Sequence, residues 1–185
     1  MDGLVWLVVV LVAAGLVIAV VYNRLVKLRQ NVREAWSAID TELRRRYDLI
    51  PNLVETVKGY ATHERETLEA VIAARNAAAA NTGPPESQAQ TENVLTGALR
   101  QLFALSESYP DLKANTNFQH LQAELTGTED RISQARRFYN ANVREMNTAV
   151  ESFPSSLIAS QFGFGPEQYF EMQDPAAREP VRVQF

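Results

Sequence analysis

The chain has no cysteine and only two histidines, His63 and His120. The first absence excludes a disulfide framework, a thiol nucleophile and a thiolate metal site. The second leaves little material for a metal site built on imidazole. Neither a Gly-x-Ser-x-Gly elbow nor a glycine-rich phosphate loop occurs, so the sequence signatures of serine hydrolases and phosphate-binding loops are missing. Positive charge is not in excess either. With 18 Lys and Arg against 22 Asp and Glu, the net charge is −4 and the pI is about 5.3, which argues against the basic footprint of a nucleic-acid binder. No stretch of the soluble part alternates in period two. What is present is apolar material, 46% of 185 residues, enough to bury a core.

That material begins with a long run. From Gly3 to Asn23 there is no charge, and Leu4 to Val21 is apolar apart from one glycine. A bilayer core of roughly 30 Å needs about 20 helical residues, and a buried core helix would keep a polar face that this segment lacks. Basic leading residues, a shorter apolar stretch and a small-x-small cleavage site would mark a cleaved signal; none is clear, so the segment is read as a retained transmembrane anchor. Trp6 and Tyr22 lie near its two ends, where amphipathic rings favour the headgroup layer. Arg24, Lys27, Arg29 and Arg33 come after it, opposed only by Glu34, while Asp2 precedes it. The positive-inside rule then places the N-terminus outside and the C-terminal bulk in the cytoplasm. Gly15 and Ala19 form a small-xxx-small pair, a candidate contact between two such helices.

No glycine or proline separates the anchor from the next stretch of chain. Leu25, Leu28, Val32, Trp36, Ile39, Leu43, Tyr47, Ile50, Val54 and Val57 recur in steps of three and four. Their eleven-residue repeat describes a nearly straight seam. Pro51 predicts a kink, yet the apolar register carries through it, so one bent rod is expected from Gly3 to about Ala80, roughly 115 Å long. Asn81 to Pro85 end it. A second helix is expected from about Glu86 to Ser108, and a third from near Asp111, a candidate N-cap, to Phe153. Ser155 to Ser160 read as a short fourth.

Specific strings carry a resemblance. Tyr22 and Asn23 after the apolar run, RRRYDLIPNLVETVKGYATHE from Arg44 to Glu64, YPDLKANTNFQHLQAELTGTEDRISQARRFYNANV from Tyr109 to Val143, and FPSSLIASQFGF from Phe153 to Phe164 resemble the LemA family. The likeness covers roughly residues 20 to 172. It implies a membrane-anchored antiparallel helical bundle facing the bacterial cytoplasm, and it supplies no catalytic mechanism. The stretch from Arg75 to Thr91 and the tail after Met172 lie outside it.

Candidate chemistry is thin. His63 has Glu66 three residues on, and His120 has Glu124 four residues on; ordinary surface ion pairs explain both better than a shared metal site. No cofactor, no metal and no enzymatic activity are expected. Arg44, Arg45 and Arg46 fan around the helix at about 100° per residue, so a solvated run is expected. Charge is nevertheless uneven. Residues 24 to 46 carry seven basic and three acidic side chains, and residues 47 to 185 carry eleven and eighteen. The basic part adjoins the bilayer, where each cation near anionic lipid contributes about 1 kcal/mol. Phe153, Phe162, Phe164, Tyr169 and Phe170 crowd into the C-terminal part. They form either a plug over the bundle core or an exposed contact to a second protomer or to the membrane.

The expected architecture is therefore all-α: an N-terminal transmembrane helix continuing into an elongated antiparallel bundle of three long helices plus a short C-terminal one. Residues 1–23 are the anchor, 24–172 the cytoplasmic bundle and 173–185 a flexible tail. The expected function is a scaffold of the bacterial inner membrane that self-associates and organises or remodels it. Its partners are the lipid bilayer and further copies of itself, with no nucleic acid. Trp6, Tyr22, Arg24 and Lys27 are its membrane-interface residues; Gly15, Ala19, Phe162, Phe164, Tyr169 and Phe170 are the candidate oligomer contacts. The rival reading is an adaptor that recruits a protein partner, such as a peptidase or an envelope-stress component, through the aromatic C-terminal segment.

Overall fold

The stripe that starts at Leu25 is the spine of the protein. A computed structural model describes residues 2–61 and 63–172 and contains six helices: α1 (Asp2–Lys58), α2 (Arg65–Ala80), α3 (Pro85–Ser106), α4 (Pro110–Lys113), α5 (Thr116–Glu151) and α6 (Ser155–Gln161). No strand occurs among the described residues, so the all-α class stands. The tail expected at 173–185 lies outside them. Two compact units form, one from residues 2–39 with 134–168 and the other from 40–133 with 169–172 among the described residues. Helices α1 and α5 contribute to both.

Pro51 sits inside α1 without ending it. A proline has no N–H, so the carbonyl four residues back loses its helical partner. That carbonyl belongs to Tyr47, and Arg75 Nε of α2 donates to it at 3.1 Å. The defect in one helix is thus a docking point for the next. The same bond shows that residue 75 lies beside residue 47, so the chain turns back on itself between them. The continuous rod to Ala80 is corrected here: α1 stops at Lys58, and its 57 residues span about 85 Å. Gly59 costs helix stability, and the amides of Tyr60 and Ala61 both bond to the Val57 carbonyl, at 3.0 and 2.9 Å, closing the turn. Packing rewards the reversal. Leu68, Val71, Ala74 and Ala78 of α2 join Ile50, Leu53, Val54 and Val57 of α1 in one buried cluster, where a straight extension would carry the α2 set away from it.

In the second unit α3 returns alongside α2, contributing Leu95, Leu99 and Leu102, and the first half of α5 adds Phe118, Leu121 and Leu125. Asn81 organises the α2–α3 turn: its amide donates to the Ser87 carbonyl at 3.0 Å and its Oδ1 accepts the Gly83 N–H at 2.9 Å. Across α1 and α5, Glu42 pairs with Arg131, Arg45 with Glu124 and Thr56 with Asn117. The α5 number falls as the α1 number rises, which is the antiparallel pairing of an up-and-down four-helix bundle. Asp111 is not the cap of the long helix. It lies in the one-turn α4, and Asn115 Oδ1 accepts the Phe118 N–H at 2.9 Å at the start of α5.

The first unit has fewer walls. Leu25, Leu28, Val32, Ala35 and Ile39 of α1 and Tyr139, Val143, Met146 and Ala149 of α5 are buried, with Trp36 and Tyr139 in edge-to-face contact at 5.2 Å. Two helices cannot enclose a core, and the chain after α5 supplies the cover. Helix α6 buries Ile158 and Ala159, Gly163 takes φ 70°, a value that favours glycine, and the chain then runs back along α5. There Asn147 clamps Glu167 through both backbone groups, at 3.0 and 2.7 Å, and the Tyr139 hydroxyl donates to the Gln168 carbonyl at 2.8 Å.

Arg75→Leu leaves the Tyr47 carbonyl without a donor and should cost about 1–3 kcal/mol of stability. In a Pro51→Ala background, where the residue 51 N–H takes over that carbonyl, the same change should cost clearly less. Denaturant unfolding of the four proteins of this cycle measures the coupling.

Candidate functional site

Two regions carry chemistry, one in each unit. In the second unit, the buried series on α1 passes through position 46, three residues after Leu43 and four before Ile50. Arg46 is 3% exposed there, which corrects the expectation that Arg44 to Arg46 are all solvated; Arg44 and Arg45 are exposed and pair with Asp40 and Glu124. The Arg46 guanidinium reaches Glu92 of α3 at 3.3 Å and Glu129 of α5 at 3.0 Å, and donates to the Thr96 hydroxyl at 2.8 Å. Glu92 is 1% exposed and also accepts the Tyr47 hydroxyl. Three helices thus meet at one ion cluster inside an apolar core. The position was readable from the three-and-four spacing, but a run of three arginines concealed it.

Burial pushes the Glu92 carboxyl above the usual glutamate range; the Tyr47 hydroxyl and Arg46 pull against that, and Glu129 adds to it. Burial, followed by the neighbouring Glu92 charge, raises the Tyr47 phenol as well. A cluster with one cation between two carboxylates and its remaining valences filled by Thr96 and Tyr47 holds helices in place. Among the described residues no group of three His, Asp or Glu is arranged to hold a metal ion. Glu64 accepts the Tyr109 hydroxyl at 3.0 Å, and Glu124 binds Arg45 at 2.7 Å, which draws its carboxyl below the usual range.

The first unit holds the other region. Trp6, Gly15 and Ala19 lie on the part of α1 that is exposed all round, and Arg24 and Lys27 are exposed beyond it. Tyr22 is brought together with the C-terminal aromatics, its ring 5.1 Å from Phe162 and 5.7 Å from Phe164 in edge-to-face geometry. Arg29 lies over the Phe164 ring at 4.7 Å. The aromatic segment divides: Phe164 and Phe170 are buried, Phe153, Phe162 and Tyr169 are not. Inward-facing and exposed aromatics are both present, on different residues. An open groove of about 430 Å³ lies between Val21 and Arg24 of α1, Arg144 and Glu145 of α5, and Phe153 and Pro154.

A helix long and apolar enough to cross a membrane, with none of its apolar window buried, and continuous with an all-helical bundle, has the form of a membrane-associated helical protein. The chain belongs to the LemA family, whose sequence pattern matches residues 35–185. It is 28% identical to Protein LemA of Metamycoplasma hominis, over 75% of this chain and 64% of that one. It is 25% identical to Magnetosome protein MamQ of Magnetospirillum gryphiswaldense, over 86% of this chain and 68% of the other. The chain therefore spans about two thirds of the length of the relatives it matches.

Arg46→Met strands Glu92 in the core and should cost about 3–5 kcal/mol, whereas Arg46→Met combined with Glu92→Leu should recover most of the loss; denaturant midpoints of the single and double variants check this. A pH dependence follows from the raised Glu92 carboxyl. The folded state keeps that proton to higher pH than the unfolded chain, so this group's stabilisation is complete below the ordinary value of 4.5 and is lost as pH rises through the raised one. The stability of the wild type relative to Glu92→Gln should accordingly shrink as pH rises above the ordinary glutamate value in thermal or denaturant unfolding.

Proposed function

We propose that the protein is a non-enzymatic scaffold of the bacterial inner membrane, anchored once with its bundle on the cytoplasmic side, that self-associates and organises or remodels the bilayer. The observation that carries this reading is α1 itself. Its first part exposes apolar side chains all round, and the same helix, with no interruption, supplies the core stripe of both units. Force or curvature in the bilayer is thereby coupled to the bundle through one stiff element, not through a linker. The cations Arg24, Lys27 and Arg33 after the span support the cytoplasmic placement.

Gly15 offers a selective test of self-association. A side chain added there meets nothing within 4 Å of its own chain, so Gly15→Leu leaves the protomer undisturbed and acts only on a neighbour. Crosslinking in native membranes should return species larger than the monomer, and Gly15→Leu combined with Ala19→Leu should reduce them. Monomer alone from the wild type would contradict the scaffold.

A further inference from the structure

We infer that the corner between α5 and α6 is a second membrane contact, which inserts Phe153, Leu157 and Phe162 into the headgroup boundary of the leaflet from which α1 emerges. The inference rests on the anchored reading of α1 and adds a surface that it does not require. Depth comes first. Tyr22 follows the last residue of the apolar run, and Phe162 packs on its ring. Val21, the residue before it, shares a groove with Phe153 and is the first residue of that run not fully exposed. The corner is therefore fastened to α1 at the turn where hydrocarbon gives way to headgroups.

Exposure comes second. Phe153 is 81% exposed, Leu157 64% and Phe162 51%, while Ile158 and Ala159 of the same short helix are buried. Helix α6 thus has an inner apolar side that holds it to the unit and an outer apolar side that nothing among the described residues covers. Apolar side chains grouped in this way mark an interaction surface, and at this depth the surface that meets them is lipid.

Two hydroxyls of the corner agree. Ser155 Oγ donates to the Ala149 carbonyl at 2.6 Å and Ser160 Oγ to the Leu157 carbonyl at 3.0 Å, so these hydroxyls enter a less polar layer already paired. Arg24 and Arg144 on the groove rim are exposed and make no ion pair or hydrogen bond among the described residues. Cations at this level face anionic lipid phosphates.

The absence of cysteine makes single-site labelling direct. Nitroxides would be placed at Val12→Cys in the span, at Leu157→Cys, at Phe153→Cys, and at Asn52→Cys, which is exposed about 45 Å further along α1 than Tyr22. The full chain is reconstituted in vesicles of phosphatidylcholine and phosphatidylglycerol, and spin relaxation by oxygen is compared with that by a water-soluble nickel chelate. All four positions are exposed, so the labels leave the core untouched. The expected result is that oxygen outweighs the chelate at 12, 153 and 157, and that the order inverts at 52. Chelate-dominated relaxation at 153 and 157, with 12 still oxygen-dominated, would overturn the inference and leave the anchor intact. Shielding from both reagents with dipolar broadening at 157 would overturn it in favour of a second copy on this face. A chelate-dominated label at 12 would remove the anchored reading and the inference together.

Discussion

The fold depends on an apolar helical surface that none of the described residues covers. The first turns of α1 leave Leu, Val and Ile side chains open on every side. Burying each such side chain is worth about 1.5–3 kcal/mol, so leaving the whole run in water would cost on the order of tens of kcal/mol, more than the net stability of a domain. A bilayer would remove that cost. From Leu25 onward the same helix needs a different cover, and α5, α6 and the chain behind them provide it. The change from exposed apolar surface to buried core happens within one turn at Val21 to Leu25, where Tyr22, Phe162 and Phe164 are gathered.

Further along, the constraint is register. An apolar stripe on an eleven-residue repeat is tolerant of sliding, since one leucine replaces another. Two polar devices remove that freedom. Pro51 frees one carbonyl and Arg75 takes it, which fixes α2 on α1. Arg46 must reach Glu92, Thr96 and Glu129 at once, and only one placement of α3 and α5 against α1 allows it. Buried ion pairs of this kind add little net stability compared with well-packed apolar groups; their effect here is on which alignment is reached.

Much of this was legible in the residues. An uninterrupted apolar run, a three-and-four stripe and turn residues at Asn81 to Pro85 suffice for the exposed apolar start of α1, for most of the rest of it and for the α2–α3 boundary. The reversal after Lys58 was not, because Leu68 and Val71 continue the helical spacing and Gly59 alone is a weak stop. Long-range packing against Leu53 and Val57 decides it, and local pattern does not contain that information. Arg46 was hidden by its neighbours, since adjacent arginines suggest solvent whatever the spacing beneath them. Asp111 reads as a cap because it follows the break at Pro110, and the local pattern gives no sign that a separate four-residue helix comes before Asn115. The aromatic segment was visible as a cluster, but composition has no means of dividing Phe164 and Phe170, which face inward, from Phe153 and Phe162, which do not.

The claim on which the account turns is that α1 passes from lipid into the bundle without a joint. Amide hydrogen exchange on the full chain in bilayer discs, read by mass spectrometry over residues 4–35, addresses it directly. The account predicts protection that continues from Leu4 through Tyr22 and past Leu28 with no fast-exchanging gap. Rapid exchange confined to residues 22–28 would reveal a hinge between anchor and bundle, and rapid exchange throughout 4–21 would show that the segment is not in the bilayer; either result contradicts it.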